Sequence, residues 1–156
     1  MRYRVCKSFE IESGHMLSKH PDRCRFPHGH SRRVDVVLSS DSLDTNDMVC
    51  DFKTLRLALD VFLDRFDHAM VVNSEDPILS QLTSFDERVI VLPSVDPTTE
   101  VMAQHIYDFL AGELQAGKTY TDPRTGHAYR FPESVRIDRI RVTETSSSWA
   151  EYGVDL

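Results

Sequence analysis

A run of period-two patterning from His30 to Ser39 begins directly at the tripeptide His28-Gly29-His30, and it constrains the fold more than any other feature of the chain. In an extended strand Val34, Val36 and Leu38 fall on one face and Arg33, Asp35 and Val37 on the other. Residues i and i+2 share a face, so His28 and His30 present two imidazoles side by side, with no side chain from Gly29 between them. Tyr3 to Glu12 has the same period through Phe9 and Ile11, and the segment Ser13-Gly14-His15 ends it. A strand that ends on one histidine and a second that opens on two predict an antiparallel pair, joined by the long polar loop Met16 to Pro27.

After Asp51, a residue suited to cap a helix, Leu55, Leu59, Phe62, Leu63 and Phe66 form a single apolar stripe. This helix ends near Asp67-His68. Asn73 to Pro77 reads as a loop and Arg88 to Leu92 as a short edge strand. Thr98 caps a second helix with a buried stripe of Met102, Ile106, Phe109 and Leu110, and Gly117 stops it. Lys118 to Pro132 is an extended loop or hairpin, Val135 to Thr145 a third main strand, and Trp149 to Val154 the last. The order strand, strand, helix, helix, strand, strand predicts an α+β fold: an antiparallel four-stranded sheet with two helices packed on one face. No repeat, linker or low-complexity tract divides the chain, so residues 1–156 are expected to form one domain.

A formal net charge of -7 argues against a partner held by phosphate neutralisation, so no nucleic acid is expected. No apolar run is long enough to span a bilayer and no apolar signal-peptide core follows Met1, so no membrane partner is expected. The three cysteines, Cys6, Cys24 and Cys50, cannot all pair within one chain, which favours a cytoplasmic protein with free thiols.

His15, His28 and His30 are enough for an open zinc site with a fourth position for water or substrate; magnesium and calcium prefer oxygen ligands. Three unrelated histidines are the plainer reading. Cys24 is spaced either to close that site as a fourth ligand or to act beside it as a thiolate, which Arg23 and Arg25 favour. Cys6 and Cys50 read as structural. Asp67 and His68 are either a solvated helix end or a proton-handling couple beside Cys24. Glu144 shares a strand face with Ile140 and Val142. A carboxylate there needs either an edge that reaches solvent or a ligand offering two parallel N–H donors. Glu100 reads as a first-turn acid favoured by the helix dipole.

Phe9 to His15, Cys24-x3-His28-Gly29-His30, Met48-Val49-Cys50-Asp51-Phe52, Asp67-His68, Pro97-Thr98-Thr99-Glu100, Val142-Thr143-Glu144-Thr145 and Tyr152, in this order, resemble the 6-pyruvoyltetrahydropterin synthase / 6-carboxytetrahydropterin synthase (QueD) family. The resemblance spans nearly the whole chain, and the gap between Cys24 and His28 looks more like the QueD branch. It implies the tunnelling fold, in which sheets join side by side in a homo-oligomeric barrel, commonly a hexamer of two trimers with active sites at subunit interfaces. It implies zinc on His15, His28 and His30. Cys24 would be the catalytic base, with Asp67 and His68 completing a triad, and Glu144 would anchor the 2-amino and N3 edge of a pterin. Thr98 and Glu100 resemble a segment near the substrate pocket. The chain departs from the family pattern at Asp47, where glycine is usual, at Asn73, one residue later than the usual spacing, and at Val101, where asparagine is common.

The activity implied is conversion of 7,8-dihydroneopterin triphosphate to 6-carboxy-5,6,7,8-tetrahydropterin with release of acetaldehyde and triphosphate, a step toward 7-deazaguanine and queuosine. Two readings compete with it. One is a pyruvoyl-type synthase or a paralogue acting on a related pterin, which the product would distinguish. The other is a non-catalytic protein whose zinc is closed by Cys24 and the three histidines.

Overall fold

The period-two run at the start of the chain forms β1 (Tyr3–His15), and the run after the histidine pair forms β2 (His28–Ser40). The computed structural model describes residues 1–84 and 87–154. In chain order the remaining elements are α1 (Phe52–Asp64), β3 (Ala69–Asn73), α2 (Leu79–Leu82), β4 (Val89–Leu92), α3 (Thr99–Gln115), β5 (Thr119–Thr121), β6 (Ala128–Arg130), β7 (Arg136–Thr145) and β8 (Ser148–Gly153). β1 and β2 pair antiparallel along their whole length, from Tyr3 opposite Ser40 to His15 opposite His28. β7 continues the sheet beside β2, and β8 beside β7, both antiparallel.

The expectation of four antiparallel strands needs correction. Among the described residues the sheet has six strands in the order β4-β3-β1-β2-β7-β8, and β3 runs parallel to both β1 and β4. β3 has no period-two signature because Ala69, Val71, Val72 and Asn73 are all buried, and a strand covered on both faces shows a continuous run. The segment Lys118 to Pro132 forms the β5–β6 hairpin. Lys53 at the start of α1 ties it down through Asp122 at 2.8 Å, and buried Tyr120 donates its hydroxyl to Glu113 at 2.7 Å.

Both long helices form where their caps predict. The Asp51 carboxylate accepts the Lys53 N–H at 2.7 Å and the Thr98 hydroxyl accepts the Val101 N–H at 3.3 Å, each contributing about 1 kcal/mol. Leu55, Leu59, Phe62, Leu63 and Phe66 of the first stripe are buried with Met102, Ile106 and Leu110 of the second. Phe62 stacks on Phe109 with ring centroids 3.9 Å apart. The stripes share one core with Ile11, Val34, Val36, Leu38, Ile140 and Val142, so both helices cover the same face of the sheet. The opposite face is polar and carries ion pairs such as Arg33–Asp35 and Arg141–Glu151.

Asp47 has a φ of 62°, the left-handed region that favours glycine and that aspartate tolerates better than most residues. The Asp44 carboxylate fixes this turn by accepting the Asn46 and Met48 N–H groups. Among the described residues no helix is long and apolar enough to cross a membrane.

Candidate active site

The β1–β2 pair ends at three histidines. Gly14 stands opposite Gly29 here, and a Cβ on Gly29 would lie 3.2 Å from the Ser13 carbonyl oxygen and 3.4 Å from the Gly14 Cα. A residue without a side chain between His28 and His30 lets the strands close tightly. His15, His28 and His30 each offer one ring nitrogen, and these atoms lie within 4.8 Å of one another. The Nδ1 of His15 donates to the Pro97 carbonyl and the Nδ1 of His28 to the Phe26 carbonyl, both at 2.8 Å. Each bond fixes the tautomer that leaves the Nε2 lone pair free. His30 Nε2 is buried and has no hydrogen-bond partner, an arrangement that costs free energy unless something fills it. Burial pushes the His15 imidazole down to about 4; the Pro97 carbonyl opposes this and Arg32 adds to it, so the ring is neutral near pH 7. Burial likewise lowers His30. Three imidazoles whose ligand nitrogens converge in this way fit a zinc ion held by nitrogen ligands.

Cys24 lies in a single 3-10 turn, Arg23–Arg25, and is half-buried. Its carbonyl accepts the Leu17 N–H at 3.0 Å. The next residues of that loop are latched by Asp96, which accepts from the Ser18 hydroxyl at 2.6 Å, the Lys19 N–H at 2.7 Å and the Asn73 amide at 2.9 Å. Asn73, displaced by one position in sequence, is therefore a fully buried part of this latch. Burial pushes the Asp96 carboxyl up, but the donors from Ser18, Asn73 and Lys19 outweigh it and hold it below its ordinary value. Asp96 and Pro97 together fix both the loop that carries the thiol and the tautomer of His15. The Cys24 thiol lies outside the three-histidine cluster.

Asp67 and His68, though adjacent, bond side chain to side chain: Nδ1 of His68 is 2.7 Å from Asp67 Oδ2. A φ of 53° at His68 accompanies this reach between neighbours. Asp67 Oδ1 accepts the Glu12 N–H at 2.7 Å, and that bond, with His68, holds the carboxyl below its usual range. The imidazole of His68 is 74% exposed. Glu12 is three residues before His15 on β1, about 10 Å along the strand. No hydrogen bond, ion pair or ring contact among the described residues joins Asp67 or His68 to Cys24 or to the three histidines.

Glu144, at the end of β7, faces the cluster. Its Oε1 is 3.7 Å from His30 Nε2, and its Oε2 accepts from the Thr99 hydroxyl and lies 3.9 Å from Arg32 Nη1. Burial pushes this carboxyl up, but the Thr99 hydrogen bond and the Arg32 charge outweigh it and hold it low. Thr98 serves as the helix cap and Glu100 is exposed in the first turn.

The sequence patterns missed Arg32 and Thr99. Both are buried, Arg32 at 1% exposure. A signal existed for Arg32: it stands two residues after His30 and two before Val34, so strand parity turns it inward with them.

The architecture is the tunnelling fold. The chain superimposes on an uncharacterized protein from Wolinella succinogenes with a TM-score of 0.76 at 21% identity, covering 99% of each chain. It superimposes on the 6-pyruvoyltetrahydropterin synthase of Plasmodium vivax with a TM-score of 0.70 at 14% identity, covering 100% of this chain and 99% of that one. The profile of the family described as 6-pyruvoyl tetrahydropterin synthase matches residues 4–154, and the chain belongs to that family. It is similar to the 6-carboxy-5,6,7,8-tetrahydropterin synthase of Aquifex aeolicus, 27% identical over 171 residues with 97% of this chain and 98% of that protein covered. It is also similar to the protein of the same description from Haemophilus influenzae, 26% identical over 158 residues, with 96% and 98% covered.

Proposed function

We propose that the protein is a zinc-dependent lyase that converts 7,8-dihydroneopterin triphosphate to 6-carboxy-5,6,7,8-tetrahydropterin, releasing acetaldehyde and triphosphate. The observation that carries this reading is the convergence of three imidazoles, one with an orphaned buried nitrogen, on a spot whose neighbour is the Glu144 carboxylate. A metal end and a ring-anchoring end then lie within one pterin's reach. His15, His28 and His30 would hold the zinc, which supplies Lewis acidity to the hydroxyls of the substrate side chain. Glu144 accepts two parallel N–H bonds from the 2-amino and N3 edge. Cys24 takes up and returns the proton of the neighbouring carbon. Its position outside the histidine cluster favours this role over that of a fourth ligand. The outward-facing Asp67–His68 couple serves the Cys24 of a neighbouring copy, in a homo-oligomer, commonly a hexamer in this family, with its sites at subunit interfaces. Free thiols accord with a cytoplasmic setting.

The test is a product assay: zinc-loaded protein is incubated with 7,8-dihydroneopterin triphosphate and the pterin is identified by mass spectrometry. The carboxy product with acetaldehyde is expected. A pyruvoyl product would move the chain to the other branch, and no product with zinc bound would defeat the substrate assignment. Glu144→Ala should raise KM about 10- to 100-fold, the worth of a hydrogen bond to a charged group, with zinc content unchanged. Unaltered steady-state constants would remove Glu144 from the pocket.

A further inference from the structure

Arg32 is fully buried, and both arms of its guanidinium meet the site. Nη2 lies 3.2 Å from both ring nitrogens of His15. An in-plane position that close to both would collide with Cε1 between them, so Nη2 lies over the ring face rather than at either nitrogen's lone pair. The His15 Nε2 lone pair stays free in that arrangement. The other arm, Nη1, donates to the Thr99 hydroxyl oxygen at 3.0 Å. Thr99 has one proton to give, and it goes to Glu144 Oε2. The donors run in one direction, from Arg32 to Thr99 to Glu144, a chain in which each bond polarises the next. Arg32 Nε has no partner, so the cation is buried with one N–H unsatisfied. A buried cation with an unsatisfied N–H is a poor way to fill a core, so packing alone does not explain an arginine here.

We propose that Arg32 is a positioning residue that, through Thr99, holds the Glu144 carboxylate in the orientation that accepts the paired N–H donors of a 2-amino-4-oxo ring, and so sets selectivity for that ring edge. The inference rests on the pterin reading above. It assigns the selectivity to a hydrogen-bond chain behind the carboxylate rather than to the carboxylate alone.

The experiment is equilibrium binding of pterin and of lumazine, which carries an oxo group in place of the 2-amino group, to the zinc-loaded protein. Wild type should prefer pterin. Arg32→Met should narrow that preference about tenfold at unchanged zinc content, and so should Thr99→Val. Arg32→Met combined with Thr99→Val should be no worse than either alone, and Thr99→Ser should keep the wild-type preference. If Arg32→Met does not fold, Arg32→Lys in the wild-type and Thr99→Val backgrounds reads the same coupling. A wild-type preference in the arginine variant, or losses that add in full, would overturn the inference while leaving the pterin reading intact. Zinc-loaded wild type that binds neither ring would overturn both.

Discussion

Cys24→Ala should lower turnover of the pterin triphosphate about 10²- to 10⁴-fold, the usual worth of a positioned proton-transfer group, and should leave one zinc per chain in place. The two halves of this result come from separate features. Metal retention is expected because the ligand nitrogens of His15, His28 and His30 cluster without the thiol, and the tautomers of His15 and His28 are fixed by the backbone carbonyls of Pro97 and Phe26, which a change of the Cys24 side chain leaves in place. The loss of turnover is expected because the turn that carries Cys24 is held rigidly. Its carbonyl is bonded to Leu17 N–H, and the next residues, Ser18 and Lys19, are latched to Asp96. A loop under that many restraints presents the thiol in one place, which proton transfer requires and a merely solvated cysteine does not. Zinc analysis beside single-turnover kinetics separates the outcomes. If the metal leaves with the thiol, Cys24 is a ligand and the site is a closed one.

Much of this molecule is legible in its sequence because its main elements are half-buried and so periodic. β1, β2 and β7 show alternation since one face meets the helices and the other is polar, and α1 and α3 show their stripes because their far sides are wet. The histidine cluster is legible for the same reason, since parity fixes the faces of His28 and His30 and the turn into the loop places His15 opposite. What escapes is what is buried all round or set by backbone detail. β3 lies between two strands and under cover, so it offers no alternation. The bond between Asp67 and His68 depends on a left-handed backbone at His68 that no residue type announces. Arg32 escapes because side-chain chemistry and strand parity point in opposite directions. Chemistry sends a guanidinium to solvent, and here parity wins because Thr99, Glu144 and the face of His15 receive it. A conflict of that kind between local rules marks a functional position more often than a structural one.

Stripping zinc with a chelator should lower Tm by about 8–16 °C at fixed protein concentration, without unfolding the chain at room temperature. A ligand present at about 1,000 times its Kd stabilises the folded state by about 4 kcal/mol, and in a chain of this size each kcal/mol moves Tm by about 2–4 °C. The chain should stay folded because the core of Leu55, Leu59, Ile106, Leu110, Val36 and Ile140 is built away from the histidines, unlike that of a small domain folded around its metal. His30→Ala should give the chelated Tm from the start and should not respond to chelator, because it removes the nitrogen that the fold otherwise buries without a partner. Cys24→Ala should keep the full response. The pattern is more telling than the size of any one shift: equal chelator responses in wild type and His30→Ala would show that the metal effect comes from elsewhere on the chain, and a lost response in Cys24→Ala would put sulfur in the coordination shell.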